Sequence, residues 1–287
     1  MAQRPTLAEI RERTYKARDA WWTVWLVDPL ASRLVWLVAP WRWVTPNRLT
    51  VAAFAVGLGS AAAFWQQGYA WLLLGALLFH VSFVLDCMDG KIARLNGTGS
   101  LFGTWLDYVF DRLRVLACAI GLFGGEFHRT GDATYVWLGL VVIFLDMFRY
   151  LNNLQMAKVK GEMRKRLAEV TPAPVAVIPA QRQPEPDDAD ETQDGFQQHY
   201  GRLAPVRRLM ASNRIRPHLF SGIEFMMFVF ILGPVTNQLT VVILGSAALM
   251  LAFELLLILK LYRTTKSFTA RYATLQAAAL ARETAPV

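Results

Sequence analysis

The sequence predicts an all-α, polytopic membrane protein with six transmembrane helices preceded by amphipathic interfacial helices. Three observations carry that prediction. The 287 residues are 54% hydrophobic and only 18% charged, with a mean hydropathy of +0.30, a balance too apolar for an ordinary soluble domain. The apolar residues are grouped in blocks of membrane-spanning length, at roughly 47–66, 70–95, 100–124, 134–158, 219–236 and 238–262. Two connectors, around Gly68 and from Pro234 to Gln238, are short enough to imply helical hairpins. An open sheet would leave its backbone unsatisfied in lipid.

Taken in order, residues 5–27 mix charges with apolar side chains and end in Trp21, Trp22 and Trp25. This reads as an amphipathic helix in the membrane interface, where indole rings prefer to sit, with a solvated helix as the alternative. Residues 28–43 are apolar but too short to span, and Pro29 and Pro40 bracket them, so they lie at the surface or re-enter. In TPNRLT (45–50), Pro46 stops the preceding helix and Asn47 or Thr45 can cap the next. The first span is rich in Ala, Gly and Ser, which permits close helix contact. Trp65 and Trp71 flank the outer hairpin as interface anchors. The large polar connector is Pro-rich and acidic in its middle, which predicts mobility. Its basic end, GRLAPVRRLMASNRIRPH, is expected to return to the membrane surface. The resulting division is a cytosolic and interfacial segment (1–46), transmembrane helices 1–4 (47–158), a cytosolic loop (159–218), helices 5–6 (219–262) and a cytosolic tail (263–287).

A net charge of +8 would suggest nucleic acid in a soluble protein. Here the basic residues follow the membrane. With the amino terminus inside, one set of loops holds most of the Lys and Arg, while the opposite loops carry Arg129 alone. The positive-inside rule then places both termini in the cytosol and leaves no reason to expect a nucleic-acid partner. Membrane lipids, with their anionic headgroups, and phosphate-bearing substrates are the partners such a face attracts. The two cysteines, Cys87 and Cys118, lie inside predicted spans, so no disulfide framework is expected. The first twenty residues are charged and weakly hydrophobic, unlike a signal peptide.

The chemistry is concentrated in DCMDGKIARLNGTGSLFGTWLDYVFD, which begins at Asp86. On a helix at about 100° per residue, Asp86, Asp89, Gly90, Ala93 and Arg94 fall within an arc of roughly 140°. On the next helix Gly103, Asp107 and Asp111 step by four and form one stripe. The Asn96-Gly97 turn can reverse the chain between them, making the helices neighbours with two carboxylates each facing a shared cavity. Four carboxylates repel and are costly in lipid. A hard divalent cation with oxygen ligands, Mg²⁺, Mn²⁺ or Ca²⁺, resolves the conflict, and two ions suit four Asp residues bound to a diphosphate. Gly90, Ala93 and Gly103 leave room for a base or phosphate beside the backbone, and Arg94 can pair with a phosphate oxygen.

This pattern, D-x2-D-G-x2-A-R-x8-G-x3-D-x3-D, resembles the signature of the CDP-alcohol phosphotransferases, the CDP-alcohol phosphatidyltransferase family, and every fixed position is present. The resemblance extends to a P-N-x-L-T start of the first span (Pro46, Asn47, Leu49, Thr50) and to the amphipathic amino-terminal element. It implies that Asp86, Asp89 and Asp107 bind metal, Mg²⁺ or Mn²⁺, and that Asp111 binds metal or takes the proton of the acceptor hydroxyl. It implies that Gly90, Ala93, Arg94 and Gly103 contact the CDP part of the donor. It further implies a cytosol-facing site, a homodimer, and transfer of a phosphoalcohol from a CDP-alcohol donor to a hydroxyl acceptor with release of CMP. CDP-diacylglycerol is the donor expected, in phospholipid synthesis. A soluble CDP-ethanolamine or CDP-choline donor with a lipid acceptor is the alternative, and a transporter with intramembrane carboxylates is the rival from another class.

Other residues carry weaker expectations. Arg149, one turn after Asp146 in the fourth span, either forms an internal ion pair or orients a phosphate of donor or acceptor. Arg214 and Arg216 form a basic rim or meet a headgroup. Glu254 and Lys260 read as structural, and His80 and Cys87 as packing. The four aspartates would have a purely structural explanation in ion pairs with Lys91, Arg94, Arg112 and Arg114, but that leaves the glycines and the spacing unexplained.

Overall fold

A computed structural model describes residues 5–41, 43–170, 209–210, 212–216, 218 and 220–283. These residues are mostly helical and contain no strand; the one isolated β-bridge among them joins Asp19 to Ile215. The Pro-rich acidic middle of the polar connector and the start of its basic portion, at 171–208, lie outside the described residues.

The amino-terminal segment departs from one helix over 5–27. Helix α1 (Leu7–Thr14) opens on a capping box: the Glu9 N–H donates to Thr6 Oγ1 at 3.2 Å and the Thr6 N–H donates to Glu9 Oε2 at 2.7 Å. Two otherwise orphaned donors are thereby satisfied. The helix stops at Tyr15, whose backbone is extended. The next residues pair elsewhere: the Asp19 N–H donates to the Arg214 carbonyl at 2.8 Å, and the Arg216 N–H donates to the Asp19 carbonyl at 3.0 Å. Helix resumes at Trp21 and runs through a π turn (Thr23–Val27) into α2 (Asp28–Val38). Pro29 does not bracket this segment; it sits at the start of α2, directly after the π turn.

Among the described residues, four helices are long and apolar enough to cross a membrane: α3 (Pro46–Gln66), α4 (Tyr69–Asn96), α7 (Thr134–Val170) and α10 (Leu239–Glu283). Leu77, Phe144, Leu244 and Leu256 on these helices are more than half exposed, as lipid-facing side chains would be. The other two predicted spans are helical but shorter or more charged. Helix α5 (Leu101–Ala119) continues through a π turn (Ile120–Gly124) into α6 (Gly125–Thr130). A short apolar rod combines α8 (Gly222–Met227), a π turn (Phe228–Leu232) and α9 (Gly233–Thr236). Helices α7 and α10 run well past the expected span ends at 158 and 262.

At the start of α3, Thr45 takes the N-cap position without a side-chain cap bond, and Pro46 supplies the first turn. Helix α3 packs against both α4 and α5, which make little backbone contact with each other. The two motif helices are neighbours as expected, meeting through side chains, with α3 as the partner packed closely against both. Small residues explain the close approach: an added Cβ at Gly121 would collide with the Ala61 carbonyl oxygen. Ser60 Oγ donates to the Gly75 carbonyl and Ser82 Oγ donates to the Ala53 carbonyl, each at 2.7 Å, pinning α4 to α3.

The chain divides into two compact units. The first falls within Met1–Leu145 and Arg202–Met250, the second within Asp146–Gly201 and Leu251–Val287. The acidic motif belongs to the first. The second is held by a buried pair, with Arg149 Nε 3.3 Å from Glu254 Oε1, and by Asn152 Nδ2 donating to Glu254 Oε2 at 2.6 Å.

Candidate active site

Helix α4 ends where the left-handed conformation of Gly97 (φ 63°) turns the chain, and the Thr98 N–H donates to the Ala93 carbonyl at 3.1 Å. Three residues later Ser100 caps α5, its Oγ accepting from the Gly103 N–H at 2.9 Å. A Cβ at position 103 would lie 2.9 Å from Asn47 Oδ1 and 3.0 Å from Ser100 Oγ. The small residue there admits Asn47, which is the role this side chain takes instead of capping α3.

The turn brings Asp86 and Asp89 of α4 together with Asp107 of α5: one carboxylate oxygen from each lies within 4.8 Å of the other two. Asp89 is buried and accepts a 2.5 Å hydrogen bond from Thr50 Oγ1 on α3. Asp107 Oδ1 is buried with no hydrogen-bond partner among the described residues. Three hard oxygen donors, one of them orphaned, fit a divalent cation such as Mg²⁺ or Mn²⁺. Asp111 stands outside this trio. Arg114 Nη2 donates to Asp111 Oδ1, Arg112 Nη2 lies 3.8 Å from Asp111 Oδ2, and Arg114 Nη1 lies 3.5 Å from Asp86 Oδ1.

The remaining motif positions sit beside the trio on α4. A Cβ at Gly90 would lie 3.5 Å from Arg94 Nη1, so the guanidinium folds back across the glycine, with Ala93 one turn on. Arg94 Nε donates to the Thr14 carbonyl at 2.9 Å, tying the motif to the end of α1. Arg149 is engaged by Glu254 and lies over the Phe253 ring at 5.3 Å, the ion-pair arrangement. Lys91 points away from the carboxylates, and its Nζ donates to Asp28 Oδ1 at 2.6 Å. His80 packs edge-on against Trp22 at 6.2 Å.

Arg214 and Arg216 differ from the basic rim expected of them. Arg214 Nη2 donates to Asp28 Oδ2 at 3.0 Å, with its guanidinium 4.1 Å above the Tyr15 ring, and Arg216 Nη2 is 3.5 Å from Asp19 Oδ1. Burial pushes the Asp19 carboxyl up, while Lys16 and Arg216 act against that shift. Sequence reasoning missed Asp28 and Gly57, and it named Thr50 only as part of the start of the first span. It named Arg114 only as a generic ion-pair partner. The i, i+3 spacing from Asp111 to Arg114 was the available signal.

Residues 43–178 match the family model described as CDP-alcohol phosphatidyltransferase, a stretch that includes all eight motif positions. The chain carries a CDP-alcohol phosphatidyltransferase domain. The domain is similar to an archaetidylinositol phosphate synthase of Pyrococcus horikoshii, 34% identical over 95 residues, covering 33% of this chain and 48% of that protein. A bifunctional IPC transferase and DIPP synthase of Aquifex aeolicus is 41% identical over 68 residues, 24% of this chain and 15% of that protein. A phosphatidylinositol phosphate synthase of Corynebacterium glutamicum is 33% identical over 88 residues, 31% of this chain and 37% of that protein. The chain thus spans about half, or less, of the length of each curated relative it matches.

Proposed function

We propose that this protein is a divalent-metal-dependent CDP-alcohol phosphotransferase of phospholipid synthesis, moving a phosphatidyl-type group to a hydroxyl acceptor and releasing CMP. The observation that carries the reading is the meeting of Asp86, Asp89 and Asp107 from two helices, with one buried oxygen left without a donor. The motif match and the family model support the same reading.

In this reading Asp86, Asp89 and Asp107 hold the cation, and Asp111 is the base. A divalent cation held there supplies the positive charge that neutralises a diphosphate and stabilises the departing CMP. A second ion, if bound, would draw on Asp111 as well. Gly90, Ala93 and Gly103 leave the backbone open for the cytidine and its phosphates, and Arg94 pairs with a phosphate oxygen. Asp111 takes the proton of the acceptor hydroxyl, whose oxygen attacks the β-phosphorus of the donor as the phosphoanhydride bond to CMP breaks. Arg149 is assigned its ion pair with Glu254 and no phosphate. For the acceptor we infer an inositol phosphate, because two of the three relatives are named as synthases of inositol phosphate lipids. The donor is CDP-diacylglycerol.

The reading carries with it an integral membrane protein with six spans, the segment division at 46, 158, 218 and 262, a cytosol-facing site with both termini inside, and a homodimer. The deciding experiment incubates detergent-solubilised full chain with Mg²⁺ or Mn²⁺ and either CDP-diacylglycerol or CDP-ethanolamine. Inositol phosphate and a pool of other alcohols serve as acceptors. CMP release from CDP-diacylglycerol that stops with EDTA is the expected result. No CMP from any donor sinks the reading, and release from CDP-ethanolamine alone reverses the partners.

A further inference from the structure

We propose that Arg114 is a positioning residue for the transfer: it fixes Asp111 and tempers the cation affinity of the Asp86, Asp89 and Asp107 cluster. The proposal rests on the assignment of those carboxylates to a metal-dependent phosphotransferase.

Arg114 is buried, and three helices enclose its side chain. From α5, its Nη2 donates to Asp111 Oδ1, one turn back along the same helix. From α4, Asp86 Oδ1 lies 3.5 Å from its Nη1, and Ser82 Oγ accepts from that nitrogen at 3.1 Å. Ser82 is itself fixed by donating to the Ala53 carbonyl of α3 at 2.7 Å. From α3, Gly57 provides the passage for the stem: a Cβ there would lie 2.7 Å from Arg114 Cγ, 2.8 Å from Cδ and 3.2 Å from Ser82 Oγ. An arginine that merely snorkels leads its charge outward to water. This one is threaded inward past a glycine, onto a carboxylate that stands beside the acidic trio.

The placement has two consequences. The planar guanidinium takes one oxygen of Asp111 and fixes the carboxylate plane, leaving the other oxygen to accept a proton. The buried positive charge also offsets one of the four negative charges. A cation fixed beside Asp86 lowers the affinity of the cluster for a second cation. The metal then binds weakly until a donor diphosphate adds its own charge.

The test uses full chain in detergent and two readouts: Mn²⁺ titration followed by electron paramagnetic resonance without substrate, and steady-state CMP release. Arg114→Gln is expected to bind Mn²⁺ about tenfold more tightly than wild type. Its kcat should fall by about a hundredfold, with KM for the donor within about threefold of wild type. Arg114→Lys keeps the charge without the fork, so Mn²⁺ affinity stays near wild type while kcat still falls. Gly57→Ala keeps the arginine but displaces its stem, and the same split is expected. A merely structural arginine would weaken Mn²⁺ binding and turnover together. That result overturns the proposal, as does an unchanged kcat in folded Arg114→Gln. If Arg114→Gln does not fold, wild-type kcat in both Arg114→Lys and Gly57→Ala overturns it. A wild-type chain that neither binds Mn²⁺ nor releases CMP overturns this proposal and the functional reading together. An active wild type with indifferent variants overturns this proposal alone.

Discussion

Helix α4 carries two ionic clusters within a few residues of each other, and they are balanced in opposite senses. In the first, Asp28 is 2% exposed at its side chain and Lys91 5%, with Nζ and Oδ1 at 2.6 Å. Arg214 occupies the other oxygen of Asp28 at 3.0 Å. One carboxylate has two cations, and its own backbone carbonyl accepts from the Tyr15 hydroxyl at 3.2 Å. In the second, Asp86 and Asp89 meet Asp107 and Asp111 of α5, where Arg114 is the closely placed cation and Arg112 stands 3.8 Å away. The first cluster is closed and holds the amino-terminal segment and the 209–216 region onto α4. The second is short of positive charge and has an orphaned oxygen. Burying charge is costly unless it is paired, and under the proposed function a divalent cation supplies what the second cluster lacks.

The largest effect should come from the unbalanced cluster. Asp107→Asn keeps the side-chain shape and removes one negative charge. CMP release is expected to fall by about a thousandfold or more, in line with the loss of a main electrostatic group in a dry site. Mn²⁺ binding should weaken in parallel. Thermal stability should hold or rise, because repulsion is relieved. Paramagnetic resonance, CMP chromatography and a melting curve on one preparation check all three. Retained CMP release with wild-type Mn²⁺ affinity would break the contrast between the clusters.

Asp28→Asn should do the reverse. It strands Lys91 and Arg214 around a neutral amide, and breaking a buried pair in this way costs about 3–5 kcal/mol. Denaturant unfolding followed by tryptophan fluorescence should show that loss, while Mn²⁺ affinity of the remaining folded protein stays within about twofold of wild type. An unchanged unfolding midpoint would mean that the closed cluster holds nothing together.

Much of this was legible in the residues alone. Spans declare themselves because each must be apolar over a fixed length, and α3, α4, α7 and α10 were found within a few residues at their starts. The ends of α3 and α4 were found as closely, but those of α7 and α10 were not, since both continue past the apolar stretch as helices whose polar residues suit helix as well as loop. The acidic trio was legible because period and spacing put its members on two faces. The contacts that Thr50, Gly57 and Arg114 make between helices were hidden for a different reason. Each is set by packing of α3 against both motif helices, and no periodicity within one helix encodes a third. Asp28 was hidden further, because its partners lie 63 and 186 residues away. Tyr15 to Ala20 looked helical because the bridge that breaks the helix belongs to a segment around Ile215.

The smallest effect expected lies where charge is paired but fully in water. Thr6 donates to Glu9 through its backbone N–H at 2.7 Å and its hydroxyl at 3.0 Å, and these bonds hold the Glu9 carboxyl below the ordinary glutamate range. A lowered folded value means the ionised form favours the helix. The contribution is therefore complete above the ordinary range and disappears as pH falls through the lowered value. Glu9→Gln should speed hydrogen exchange at the first amides of α1 at pH 7, relative to wild type, and the difference should vanish once pH falls below the lowered value. Solvent screens the site, so global unfolding should not move. Equal exchange at pH 7 would show that pairing at this exposed end contributes nothing. A shift in global stability would show instead that α1, through the Arg94 bond to the Thr14 carbonyl, belongs to the closed cluster rather than to the surface.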